Sequence, residues 1–179
     1  METRTANLII GTSGGTAGGN AINYKLALPS TWIKEMGLTP EQRQVELRFD
    51  GTSIVITRKL SLAEFLEASH RAGHKVLLLS CYSGDALCAR IAADETKKTV
   101  CVENLAADCL KLPFGNNKNP IWEDYLYFLE SRCIPRTRAG LREYLETIGV
   151  DHYDPLEIIQ KTQGRMAEDA IWLTVEEIK

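Results

Sequence analysis

His70 and His74 stand four residues apart, a spacing at which one helix face can present two imidazoles to a metal ion. Gly73 lies between them and ends a helix readily, so the rings should diverge. No glutamate occupies the place a metalloprotease needs, and the pair reads as surface histidines at a helix end. Ser80-Cys81-Tyr82-Ser83-Gly84-Asp85 offers hydroxyl, thiol and carboxylate groups. It lacks the G-x-S-x-G elbow, and no motif places a histidine to activate a nucleophile. Cys81 and Cys88 read as packed sheet residues. The five cysteines form no C-x-x-C pair, which fits reduced thiols in a cytosolic protein and neither disulfide nor zinc. From Gly11 to Gly19 five glycines fall within nine residues, yet Asn20-Ala21 follows where a P-loop has Lys-Ser. A strand pattern follows where phosphate binding needs a helix start. The glycines read as a mobile connection between strands. No acid, base and nucleophile can be named together, so neither enzyme chemistry nor a cofactor or metal is expected.

A denser constellation is basic. Arg132, Arg136, Arg138 and Arg142 surround Cys133-Ile134-Pro135. Arg138 and Arg142 are spaced to share a helix face ahead of Glu143 and Glu146. The plain reading is a salt-bridged helix start. The sharper one is a docking surface for an acidic partner or phosphate, with Arg165 as a further partner-binding candidate.

These side chains depend on elements whose periodicities can be read along the chain. Residues 4–10 read as a strand, and Tyr24-Lys25-Leu26-Ala27-Leu28 alternates as a second. Pro29-Ser30 stops it, Ser30 can cap a short helix over 31–36, and Gly37 can end that helix. Residues 45–49 and 53–57 flank Asp50-Gly51, a strong hairpin pair. Ser61-Leu62-Ala63-Glu64 is a capping box that opens a helix ending at Gly73. Runs over 75–82, 86–93 and 99–103 predict a three-stranded meander. Helices are expected from Asn119-Pro120, over 138–148 and from Asp154-Pro155 to about Gln163. A final short element holds Ile171, Trp172 and Leu173, and the tail reads as a helical pair packing Ile158, Ile159, Met166 and Trp172.

Strands and helices are segregated rather than alternating, so the expected class is α+β in two parts, 1–59 and 60–179. The chain is 44% hydrophobic and 25% charged, an ordinary composition for a globular protein. No apolar run approaches a membrane span, and the N-terminus lacks signal-peptide features, which leaves the cytoplasm as the expected location. The net charge of −3 hides an asymmetry. Residues 1–60 carry seven Lys/Arg against five Asp/Glu (+2), and the remainder carries 14 against 19 (−5). Opposite signs suggest different partners for the two parts.

Residues 24–58, YKLALPSTWIKEMGLTPEQRQVELRFDGTSIVITR, resemble the AbrB/MazE/SpoVT family of DNA-binding domains. The resemblance rests on Lys25 in an alternating strand, Leu28-Pro29, a short helix ending at Gly37-Leu38, and a hairpin with Asp50-Gly51 at its tip. It implies a swapped-hairpin fold in which two copies interleave their strands. The residues support this independently, because two short hairpins cannot close a core alone and an unpaired edge invites a copy. Leu8, Ile10, Leu26, Leu28, Ile33, Val45, Leu47, Phe49, Ile54 and Ile56 would form the shared core. The resemblance also implies a two-fold DNA-reading surface, whose matching or nearby positions are Arg4, Lys25 and Lys34 with Asn20 and Asn23. Ser30, Thr31 and Ile33 stand where many members carry charge, and the glycine connection is longer than usual. The C-terminal part is loosely similar to small proteins associated with HipA-like kinase toxins.

Together these readings predict a homodimeric transcriptional regulator or antitoxin that binds a palindromic duplex through its first part. Its second part would bind a partner or signal, with a cognate toxin as one candidate. The alternative is a dimeric interaction module that keeps the fold without contacting DNA.

Overall fold

The computed structural model describes residues 2–12 and 22–178, so Asn20 and most of the glycine-rich stretch lie outside the described residues. The chain divides into two compact units, Met1–Lys59 and Leu60–Lys179. Five α-helices and three antiparallel sheets are present among the described residues, which makes the architecture α+β.

In the first unit, β1 (Ile9–Thr12) pairs antiparallel with β2 (Ile22–Lys25). The expected strand over 4–10 begins later, because Glu2 and Arg4 engage Trp32 instead of a neighbouring strand. Helix α1 (Ser30–Glu35) starts at Ser30 itself. Pro29 occupies the preceding position, and no side-chain capping bond forms, contrary to the expected Ser30 cap. The helix closes as expected: Gly37 adopts φ 68°, and the Leu38 amide reaches back to the Ile33 carbonyl at 3.1 Å. Strands β3 (Val45–Phe49) and β4 (Ile54–Arg58) form a hairpin in which Leu47 faces Ile56 and Phe49 faces Ile54. The Asp50 carboxylate ties the turn by accepting from the Thr52 and Ser53 amides at 2.9 and 2.8 Å. Both serine and threonine hydroxyls there donate to it as well, and these bonds hold its pKa far below the usual carboxylate range.

The second unit is built on one sheet. Helix α2 (Leu62–Arg71) opens with the expected capping box, in which Ser61 and Glu64 exchange bonds. Strands β5 (Val76–Ser83), β6 (Ala86–Asp94) and β7 (Thr99–Asn104) make the expected meander. Helices α3 (Trp122–Ser131), α4 (Leu141–Ile148) and α5 (Pro155–Thr162) follow. Strand β8 (Ile171–Ile178) then returns to pair with β5, giving the order β7-β6-β5-β8 with every neighbour antiparallel. The expected C-terminal helical pair is therefore one helix and one strand, and the sheet has four strands rather than three. Alternation over Ile171, Leu173 and Val175 carries this strand, while the adjacent Glu176 and Glu177 mask it in a propensity reading.

Period-two alternation splits this sheet into two buried faces. Leu77, Leu79, Cys81, Ala89, Ile91, Ala93 and Leu173 join Tyr125, Phe128 and Leu129 of α3, Leu145 of α4 and Ile158 and Ile159 of α5 in one core. Each such Leu or Ile contributes roughly 1.5–3 kcal/mol by leaving water. Asp94 belongs to the opposite face and meets Ser69 of α2 there, so α2 covers the second side. The sheet lies between α2 and the later helices, and both β5 and β6 are central.

Candidate functional site

Strand pairing decides what the first unit shows to its surroundings. Asn23 lies opposite Gly11 and Lys25 opposite Ile9, which puts both polar side chains on one face of the β1-β2 hairpin. Asn23, Lys25 and Lys34 are all exposed. Lys34 occupies the last turn of α1, where a cation complements the helix dipole. Arg4 is placed differently. Its guanidinium pairs with Glu2 at 2.8 Å and lies 5.7 Å from the Trp32 ring centre, while the Trp32 indole N–H donates to Glu2 at 2.7 Å. The Trp32 bond, aided by Arg4, holds the Glu2 carboxyl below its ordinary range. Local pairing thus largely offsets the Arg4 charge.

The apolar residues of this unit are the more telling feature. Leu38, 9% exposed, is its buried hydrophobic residue among those described. Phe49 is 72%, Leu47 65% and Ile54 65% exposed, and Leu8, Ile9, Ile10, Ile22, Tyr24, Leu26 and Val45 are exposed too. Val45, Leu47, Phe49, Ile54 and Ile56 share one face of the β3-β4 hairpin. Among the described residues, an apolar strand face of this extent is largely exposed.

The arginines of the second unit do not form one surface. Arg132 is 7% exposed and serves the interior. Its Nε and one terminal nitrogen donate to the Gly164 carbonyl at 2.9 and 2.7 Å. Its fork grips Asp169 at 2.6 and 3.0 Å, and a further bond reaches the Ile171 carbonyl at 2.9 Å. Arg132 thereby joins the end of α3 to the segment that starts β8, and it is not offered to a partner as expected. The Arg132 hydrogen bonds hold the Asp169 carboxyl below its ordinary range despite partial burial. Gly164 meets this arginine closely. It adopts φ 58°, and a Cβ there would stand 3.2 Å from Leu173 and 3.3 Å from the Arg132 Cβ.

The remaining arginines are dispersed. Arg136 pairs with Glu130 at 2.7 Å and covers the Tyr153 ring at 4.2 Å. Arg142 pairs with Glu146 at 3.0 Å along α4. Arg138 lies outside that helix, because Gly140 takes φ 77° immediately before Leu141 and the Arg138 amide closes a turn on Pro135. The expected shared face of Arg138 and Arg142 is therefore broken. Arg165 lies 4.8 Å from the Trp172 ring, which stacks on Tyr82 at 4.3 Å and donates its indole N–H to the Gly84 carbonyl at 2.7 Å.

His74 was expected at the surface with His70, and the structure corrects this. His70 is exposed, but the His74 Nδ1 stands 2.7 Å from the buried Asp94 carboxylate. Ser69 donates to the same oxygen at 3.0 Å, and the Thr96 and Lys97 amides donate to the other. Burial opposes ionisation of Asp94, yet the Lys97 amide, His74 and Ser69 together hold its pKa below the ordinary value. Serine, histidine and aspartate are thus assembled without catalytic order. Both Ser69 and His74 bind Asp94, whereas a nucleophile needs the histidine between serine and acid. The cluster instead fastens α2 to the β6-β7 turn. It was invisible in the sequence, since 25 residues separate Ser69 from Asp94.

Cys81 and Cys88 are buried in the sheet, and burial pushes the Cys81 thiol up to about 12. Burial likewise raises Cys133 to about 12. Neither can supply a thiolate near neutral pH. Among the described residues no group of three or more His, Cys, Asp or Glu could hold a metal ion, and no helix is long and apolar enough to cross a membrane. No family model, curated protein or solved structure matches the chain.

Proposed function

We propose that the protein is a homodimeric DNA-binding regulator of the AbrB/MazE/SpoVT type, or an antitoxin of that type, whose residues 60–179 bind a partner or signal. The observation that carries this reading is the uncovered apolar strand face of the first unit, with Phe49, Leu47 and Ile54 more than half exposed in one chain. A second copy supplying the same strands satisfies both the apolar area and the open strand edges. A two-fold pairing presents each exposed cation twice, and Lys25 and Lys34 from two subunits supply four charges to a duplex. The second unit has its own packed core, which suits a folded recognition domain rather than a flexible toxin-neutralising tail.

The Arg4–Glu2 pair favours one alternative, a dimeric interaction module that has lost DNA contact, because it lowers the net positive charge of the proposed surface. Sedimentation and fluorescence anisotropy separate the readings. A dimer at micromolar concentration that binds random duplex at low salt and releases it at moderate salt supports the regulator. A dimer without duplex binding at low salt leaves the interaction module, and a monomer removes both.

A further inference from the structure

Within the second unit, α3, the start of α5 and the β6-β7 turn enclose a cleft of about 530 Å³. Trp122 and Leu126 give it an apolar wall, and Leu126 is about half exposed there. Glu95, Lys98 and Asp154 contribute charge, and Tyr125 lines it from within the core. Two features set this cleft apart. The Tyr125 side chain is fully buried, and its hydroxyl is the buried side-chain polar atom without a hydrogen-bond partner among the described residues. Such a group costs free energy until something pairs with it. Burial raises its pKa, and the charges of Glu95 and Asp154, which line the same cleft, raise it further.

The second feature is Lys98. It adopts φ 55°, a left-handed conformation unusual for a lysine. From there its ammonium lies 4.8 Å from the Trp122 ring centre and 3.5 Å from the Glu95 carboxylate. The chain's own alkylammonium therefore already rests on the aromatic wall beside an acid. The other rim cation, Arg136, is engaged by Glu130.

We infer that this cleft is a binding site for a primary alkylammonium ligand, which displaces Lys98 from the Trp122 face and donates to Glu95, Asp154 and the Tyr125 hydroxyl. An ammonium carries three N–H donors, and the two carboxylates and the hydroxyl supply three acceptor groups. The Trp122 ring attracts the cation, and Leu126 accommodates a short alkyl chain. The inference rests on reading residues 60–179 as the recognition unit, and it requires neither dimerisation nor DNA.

The test is a titration of the full chain with n-butylamine at neutral pH, followed by two-dimensional NMR at the assigned Trp122 indole N–H. Saturable shifts centred on Trp122 and the 95–98 turn are expected, with matched n-butanol giving none. Tetramethylammonium, which has no N–H donor, should bind at least about fivefold more weakly, the scale of a lost hydrogen bond to charge. Tyr125→Phe should weaken n-butylamine binding by a similar factor without lowering Tm, since it removes an unpaired buried hydroxyl. Lys98→Ala should tighten binding by removing the internal competitor. Absence of saturable shifts, equal response to n-butanol, or tetramethylammonium binding as well as n-butylamine would overturn the proposal. So would weaker binding by Lys98→Ala, or full affinity in Tyr125→Phe. Sedimentation and duplex titration of the same sample report on the regulator reading separately.

Discussion

The two units solve the same problem of apolar burial in opposite ways. Residues 60–179 enclose a sheet between helices, so β5 and β6 carry fully buried Leu79, Ile91, Ala92 and Ala93. Residues 1–59 also devote many positions to Ile, Leu, Val and Phe, yet Leu38 is the one such residue buried among those described. Among the described residues, the four-residue and five-residue strands of its separate two-stranded sheets leave their large apolar side chains exposed. The contrast teaches that apolar content does not define a core; a second packed layer does. One unit finds that layer within its own chain; in the other the strand faces stay exposed, and under the proposed dimer a second copy would cover them.

The comparison breaks most readily at the first unit's apolar strand face. Leu47→Asp combined with Phe49→Asp removes four large side chains from a dimer. It should cost roughly 6 kcal/mol of association or more, about four orders of magnitude in Kd. Sedimentation should show a monomer while near-ultraviolet dichroism of the second unit persists. A dimer that survives this pair would show that the strand face is not the interface.

Next in size is Arg132→Ala. It leaves Asp169 without its guanidinium and unfastens the start of β8, at a cost of about 3–5 kcal/mol. Urea unfolding followed by Trp172 fluorescence should register that loss, with dimerisation unchanged. Loss of both together would mean that the units are not energetically separate.

Acidification gives a smaller, signed effect. The folded pKa values of Asp94 and Asp169 both lie below their ordinary value of 3.8. Their contribution is fully present above that value and is lost as pH falls through the folded values, where protonation catches up with the native state. Asp94→Asn should cost about 2 kcal/mol at neutral pH and flatten the acid limb of the second unit's stability profile. An unaltered limb would place the proton uptake elsewhere.

The smallest effect distinguishes cations within the first unit. Lys25→Ala should reduce the slope of log K against log salt for duplex binding by about 2 per dimer, at roughly 0.9 per phosphate contact. Arg4→Ala should change it much less, because Glu2 already offsets that charge. Equal slopes would show that the Arg4–Glu2 pair opens on DNA.

Local signals in the sequence survive almost unaltered in the structure. The Ser61–Glu64 capping box, the Asp154 cap with Pro155 at the first helical position, the Asp50-Gly51 turn and the three meander strands each depend on residues a few positions apart. Their energies are settled by neighbours along the chain, so residue order is sufficient to find them. Helix ends shifted where a backbone dihedral intervened, as Gly140 did in separating Arg138 from Arg142.

What tertiary structure alone decided is which distant groups meet. Arg132 and Asp169 are 37 residues apart, and Arg132 belongs to a visible cluster of basic residues that resembles a surface patch. Only packing of α3 against the segment leading into β8 turns it inward. His74 likewise reads as exposed until β6 brings Asp94 to the end of α2. Tyr125 gains its unpaired hydroxyl, and Lys98 its place over Trp122, only when the β6-β7 turn meets α3. Short-range propensity is additive along the chain and therefore legible. Burial and charge pairing depend on the closure of long loops, and their outcome is set by a whole core at once.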